Sequence, residues 1–311
     1  MESTRDIETD GWARFRFGTM ALVGLPNAGK STLMNTLVGE KVAIVTPRPQ
    51  TTRNRITGIL TGDHFQVVFL DTPGINRAGG RMNDLLNRAA MEGLMSADVV
   101  ILLVDASRYA GRPGLLHKEL ALIRDRIGNF SSVLIAANKV DRIRDKKNML
   151  PVMEELAGLF PEREIMPVSA LTGEGCPFLL DRAVNLLPWG EALYPEDQIS
   201  TLPMRFMVAE VVREKLFMHT RQEVPYGLAV EIESWDEEEN LIRIGALVYV
   251  LKNTHKSIVI GKKGRILKEV GIEARKEIES LTGKKVFLET WVKVRPGWTE
   301  NQGILSSLGL G

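Results

Sequence analysis

Two glycine loops of different kinds, one near each end of the 311-residue chain, have the residue types needed to hold phosphate. The first runs Gly24-Leu25-Pro26-Asn27-Ala28-Gly29-Lys30-Ser31-Thr32, a G-x-x-x-x-G-K-[ST] pattern between an apolar stretch at 20–23 and a helical one at 31–38. In that setting Gly24 and Gly29 let backbone N–H groups, with those of Ala28 and Thr32, curl around phosphate at a helix N-terminus. Lys30 would reach the β- and γ-phosphates of a nucleoside triphosphate, and the Ser31 hydroxyl suits Mg²⁺. The second loop is Gly261-Lys262-Lys263-Gly264-Arg265, between two helical stretches. Its glycines allow a sugar-phosphate backbone to approach, Lys262, Lys263 and Arg265 neutralise phosphates, and an apolar groove beside it can seat unpaired bases. A plain helix–helix turn is the alternative for a lone G-x-x-G.

Further motifs follow the first loop in order, each after an apolar run. Asp71-Thr72-Pro73-Gly74 puts a carboxylate where magnesium is held and a glycine whose N–H can approach the γ-phosphate. Asn138-Lys139-Val140-Asp141 offers a carboxylate that can accept both guanine N1–H and the 2-amino group, donors that adenine lacks in that arrangement. Ser169-Ala170-Leu171 could present a backbone N–H to guanine O6. Each alone is also what an ordinary strand-to-loop turn requires; their succession is the signal.

The elements that must position these residues are legible in the hydropathy pattern. Buried strands are expected at 21–23, 66–70, 99–104, 133–136 and 165–168, with helices at 85–95, 115–127 and 149–159 between them. Strand and helix in alternation predict an α/β unit with a mostly parallel sheet, covered on both faces, whose ligand loops sit at the carboxyl ends of the strands. Periodicity lapses at 188–203, and an α+β unit follows: a helix at 206–218, strands at 228–234 and 241–250, two helices across 256–281 broken by the glycine loop, and a strand at 284–294. The resulting division is an N-terminal extension (1–18), a front domain (19–187), a linker (188–203), a rear domain (204–295) and a C-terminal tail (296–311).

Bulk properties agree. The net charge of +1 argues against a chain coated in nucleic acid, yet between Lys252 and Lys276 eight basic residues face two acidic ones. A solvated helix face or a patch for acidic lipids would also explain that cluster. The acidic run 236–239 reads as a solvated hairpin tip. The apolar run 99–104 is too short to cross a bilayer, the first residues are acidic, and Cys176 is the single cysteine, so a reducing, cytoplasmic location is expected. Trp291 and Trp298 could stack on bases; core or interdomain packing is the preferred expectation.

The five front motifs resemble the translation-factor-like GTPases across the whole front domain. That resemblance implies GTP/GDP and Mg²⁺ as ligands and hydrolysis of GTP to GDP and phosphate. It assigns Lys30, Thr52, Gly74 and Asn27 to the reaction, and Ser31, Thr52 and Asp71 to the metal. Within the switch segment Pro47-Arg48-Pro49-Gln50-Thr51-Thr52-Arg53, Thr52 is the first choice for the magnesium-sensing threonine and Thr51 the second. Ile75 stands where Ras-like enzymes carry a water-orienting glutamine, which calls for another source of transition-state charge. In a subset of these GTPases an asparagine at the position of Asn27 helps to hold K⁺; a loop-stabilising asparagine is the alternative.

With Ile-Val-Ile-Gly-Lys-Lys-Gly-Arg-Ile around the second loop, the rear unit resembles a type II KH domain. The order of domains, with Gly271-Ile272-Glu273-Ala274-Arg275-Lys276 and Trp291-Val292-Lys293-Val294, resembles a bacterial family of ribosome-assembly GTPases. The resemblance implies a monomer that binds the single-stranded 3′ end of small-subunit ribosomal RNA and the small ribosomal subunit, with peripheral membrane contact and no DNA. Two rivals remain: a GTP-dependent switch docking on a protein or membrane, and a structural RNA binder with an inactive nucleotide site.

Overall fold

The protein is described by a computed structural model at residues 15–48, 51–74, 79–128 and 130–308. The front domain comprises β1 (Arg16–Gly24), α1 (Lys30–Val38), β2 (Ile56–Gly62), β3 (Phe65–Asp71), α2 (Arg81–Met95), β4 (Val99–Asp105), α3 (Ala106–Tyr109), α4 (Leu115–Ile127), β5 (Val133–Asn138), α5 (Met149–Leu159), β6 (Glu164–Pro167) and α6 (Cys176–Val184). Its six strands lie in the order β2-β3-β1-β4-β5-β6, parallel except for β2. The continuous apolar runs arise because alternate residues feed two cores. Met20, Leu22, Val99, Ile101 and Leu103 face one side of the sheet, while Ala21, Val23, Val100, Leu102 and Val104 face the other. Cys176 is a buried member of the first core, and that burial raises its thiol pKa.

Three expected boundaries shift. β1 begins at Arg16, ahead of the apolar stretch expected at 20–23, because Arg16 and Phe17 pair with Phe65 and Gln66. β2 has no counterpart among the expected strands, since its glycines and threonines dilute the apolar signal. The segment expected as a linker is fastened to the front domain. Buried Gln66 accepts the N–H groups of Leu193 and Tyr194 at 2.8 and 2.9 Å, and Ile59 on the edge strand donates to the Ile199 carbonyl at 2.8 Å. A strand edge with unpaired backbone groups needs such a cover.

The rear domain contains α7 (Met204–His219), β7 (Ala229–Glu237), β8 (Leu241–Val250), α8 (Asn253–Ile260), α9 (Arg265–Thr282), β9 (Lys285–Val294) and α10 (Gln302–Ser307). β8 pairs antiparallel with β7 and parallel with β9. Val208, Val212 and Leu216 of α7 join Val270, Ala274 and Ile278 of α9 over one sheet face. α9 thus presents an apolar stripe to the sheet, and the acidic run forms an exposed hairpin tip, as expected. Gly261 must be glycine: its φ is 73°, and a Cβ there would lie 2.8 Å from Ile266.

The other sheet face is half covered. Leu247 and Tyr249 pack with Trp298, Leu305 and, from the front domain, Met82 of α2. The tail expected at 296–311 is thus an interdomain wedge through residue 308, and Trp298 is fully buried with its Nε1 donating to the Gly227 carbonyl at 3.1 Å. Trp291 differs from expectation. It is 39% exposed, because alternation along β9 aims it away from the helices, onto the part of the face that the tail does not reach. Trp298→Ala is expected to destabilise the protein by about 3–5 kcal/mol, through the cavity and the stranded carbonyl. Denaturant unfolding measures this; an unchanged midpoint would show that the wedge contributes nothing.

Candidate functional site

The carboxyl ends of β1, β3, β4 and β5 open into a cleft of about 530 Å³. It is lined by Asn27, Ala28, Gly29, Lys30, Ser31, Thr32, Thr52, Gly74, Asn138, Lys139, Asp141, Ala170 and Leu171, which brings together residues expected from five separate motifs. Gly24, Asp71 and Ser169 support the wall from behind, and the last two are fully buried. Gly29 holds a φ of 102°, and a Cβ at this position would run into the Asn138 amide. The close contact of phosphate loop and base loop is what excludes a side chain. Ile75 falls outside the described residues, as do Pro49 and Gln50.

At the phosphate end, Lys30 is buried and its Nζ turns back on the Gly24 and Leu25 carbonyls at 3.3 and 3.2 Å. Ser31 Oγ donates to Asp71 Oδ2 at 2.5 Å and lies 3.0 Å from Thr52 Oγ1, which donates to the same carboxylate oxygen at 3.2 Å. Thr51 instead bonds Thr46 and the Arg48 carbonyl, so the geometry favours Thr52 over its neighbour. Burial favours the neutral form of each ionisable group, pulling Lys30 below the ordinary lysine pKa and pushing Asp71 above the carboxylate range; their mutual attraction opposes both shifts. Asp71 Oδ1 is buried without a partner. Two hydroxyls and a half-satisfied carboxylate form an all-oxygen donor set of the kind a hard divalent cation requires. Ser31, Thr52 and Asp71 would hold Mg²⁺ there, which supplies positive charge to the phosphates.

At the base end, Asn138 locks the pocket. Its Nδ2 donates to the Ala28 carbonyl at 2.8 Å, while its Oδ1 accepts the N–H groups of Lys139 and Ala170 at 2.8 and 2.9 Å. The Ala170 N–H therefore has a structural partner instead of serving as a free donor. Ser169 Oγ donates to Asp141 Oδ1 at 2.7 Å and orients that carboxylate at the rim of the cleft. Lys139 Nζ reaches the Asn27 carbonyl at 2.6 Å and Asp105 Oδ2 at 2.7 Å. Asp105 was not singled out from sequence; an acid at the carboxyl end of a strand, as at Asp71, was the available signal.

In the rear domain the second loop projects between α8 and α9. Lys262, Lys263 and Arg265 are exposed, Gly264 caps α9 in the left-handed region, and exposed Ile258 on α8 offers apolar surface nearby. Basic side chains at a helix N-terminus form a cradle for phosphate. No described helix is long and apolar enough to cross a membrane.

Fold and site together define a P-loop GTPase joined to a KH domain. Family models agree: residues 19–139 match the 50S ribosome-binding GTPase family and residues 223–299 the KH domain. The chain belongs to the Era family of GTPases. It is 52% identical to the Era GTPase of Nitratidesulfovibrio vulgaris, over 95% of this chain and 97% of that one. With Era of Geobacter metallireducens it shares 42% identity over 95% and 98%. Among solved structures, Aquifex aeolicus Era bound to GDP and AlF4⁻ superposes with a TM-score of 0.87 at 38% identity, covering 96% of this chain and 100% of that one. An Era complex with MgGDPNP and nucleotides 1506–1542 of 16S ribosomal RNA gives 0.88 at 38%, covering 96% and 99%.

Proposed function

We propose that the protein is a GTP-hydrolysing switch that binds the single-stranded 3′ end of small-subunit ribosomal RNA through its type II KH domain and assists assembly of the 30S subunit. One observation carries the reading: a guanine-nucleotide cleft and a basic G-x-x-G loop occur in one chain, aligned over nearly its full length with an Era solved on MgGDPNP and 16S RNA. In this reading Lys30 and the loop N–H groups bind the phosphates, and Asn138, Lys139 and Asp141 hold guanine. Thr52 and Gly74 sense the γ-phosphate, and Lys262, Lys263 and Arg265 hold the RNA backbone. GTP orders the Thr52 segment and alters domain placement and RNA grip until hydrolysis releases them. A cytoplasmic location belongs to the same reading, supported by the single buried cysteine. Titrating a synthetic RNA of nucleotides 1506–1542 with GDP and with a non-hydrolysable GTP analogue tests it. Equal affinities would show that nucleotide does not control the grip, and absence of binding at low salt would remove the RNA role.

Transition-state charge is the remaining requirement. Asn27 adopts a φ of 63° and its Nδ2 donates to the Pro47 carbonyl at 3.2 Å, so the side chain bridges phosphate loop and switch segment. A monovalent cation held there would supply the charge. Hydrolysis is expected to run faster in K⁺ than in Na⁺ at equal ionic strength, by roughly an order of magnitude or more, and Asn27→Ala is expected to abolish the difference. Equal rates in the two salts would remove K⁺ from the reaction.

A further inference from the structure

Three consecutive residues of the switch segment, Thr51, Thr52 and Arg53, are buried, although they lie in a loop. Thr52 faces Ser31 and Asp71; its neighbours on both sides are held by the rear domain. The Thr51 carbonyl accepts Arg213 Nη2 of α7 at 2.5 Å. The Arg53 guanidinium, 4% exposed, donates to the carbonyls of Leu228, Pro225 and Tyr226 at 2.5, 3.2 and 3.0 Å. The fourth carbonyl of that turn, Gly227, is taken by Trp298.

We propose that Arg53 and Arg213 form an interdomain clasp that positions Thr52 for GTP hydrolysis, so that the KH domain supplies part of the GTPase reaction geometry. It rests on the reading of Thr52 as the magnesium-sensing threonine. The hydroxyl can face the metal only while the segment keeps its register, and anchors on the residues before and after it set that register from outside the front domain.

The clasp is an expensive arrangement, which speaks against simple glue. Two guanidinium groups, Arg53 and Arg213, are both buried beside the same Phe217 ring, so two like charges are withdrawn from water side by side. Only the closed arrangement offsets this, through four carbonyls, the Glu210 carboxylate at 2.5 and 2.7 Å from Arg213, and the Phe217 ring beneath both cations. An element stable only when its partners are all in place is one whose population two ligands can bias. The turn also packs toward the RNA loop. A Cβ on Gly227 would lie 2.7 Å from Leu251 and 3.7 Å from buried His255 on α8, the helix that Gly261 caps.

The test uses full-length Arg53→Met, Arg53→Lys and Arg213→Met. GTP turnover without RNA, GDP affinity, and affinity for the 1506–1542 RNA in both nucleotide states are measured. Arg53→Met and Arg213→Met are expected to lower kcat on the order of 10- to 100-fold while GDP affinity stays within about twofold, since GDP binding does not use Thr52. Arg53→Lys is expected to recover part of kcat, and the RNA affinities of the Met variants to become equal in the two nucleotide states. Unchanged kcat in a folded Met variant, or parallel loss of GDP affinity in both, would overturn the proposal. If Arg53→Met fails to fold, Arg53→Lys and Arg213→Met decide by the same kcat-to-GDP comparison. Equal RNA affinities already in the parent protein would count against nucleotide-controlled grip alone, because the turnover measurements need no RNA.

Discussion

Asp141→Asn is expected to weaken GTP and GDP binding by roughly 10²- to 10⁴-fold, from two hydrogen bonds to a charged acceptor at about 1.5–3 kcal/mol each. A carboxylate accepts from both N1–H and the 2-amino group, while an amide replaces one acceptor by a donor that meets the donors of guanine. Xanthine carries a carbonyl at position 2, so the same substitution is expected to raise the preference for xanthosine over guanosine nucleotides. Asp141 is exposed at the rim and Ser169 can bond an amide as it bonds the acid, so folding should be little affected. Titration with GDP and xanthosine diphosphate checks this. Undiminished GDP affinity would remove Asp141 from base recognition.

Replacing Lys262 and Lys263 together by Asp is expected to reduce affinity for single-stranded RNA by about 10³-fold at low salt. Two phosphate contacts become two repulsions, and losing them should lower the dependence of log K on log[salt] by about 1.4, at ~0.7 per phosphate. Guanine-nucleotide affinity should not change, because every residue lining the cleft belongs to the front domain. Both lysines are exposed, and Lys263 already occupies the left-handed region at a φ of 54°, which aspartate tolerates better than most residues. An unaltered RNA titration would show that the glycine loop does not hold the RNA backbone.

Much of the architecture is readable before folding, for identifiable reasons. The strand at 99–104 is marked by a continuous apolar run and the helices at 115–127 and 149–159 by a 3.6-residue period, and the structure places elements there with at most one residue of difference. The edge strand β2 escapes because an edge tolerates glycine and threonine, which look like loop. The segment 188–203 reads as linker from its prolines and acids, yet its backbone groups pair with Gln66 and Ile59, a long-range contact with no local signature. Trp298 and Trp291 are the same residue type at similar distance from the glycine loop; one is buried and one half exposed only because the tail folds back over part of a sheet face.

By itself the sequence determined the local spacing of glycine, lysine and hydroxyl in the front loop, the glycine and lysine pattern of the rear loop, and the order of the elements that present them. The tertiary structure decided which of two adjacent threonines meets Asp71, that the Ala170 N–H is committed to Asn138, and that Arg53 and Arg213 cross the domain boundary on either side of Thr52. Local spacing is encoded by neighbours along the chain and survives without a fold. Partners separated by 160 residues or more are chosen by packing, which exists only once both domains have closed on each other.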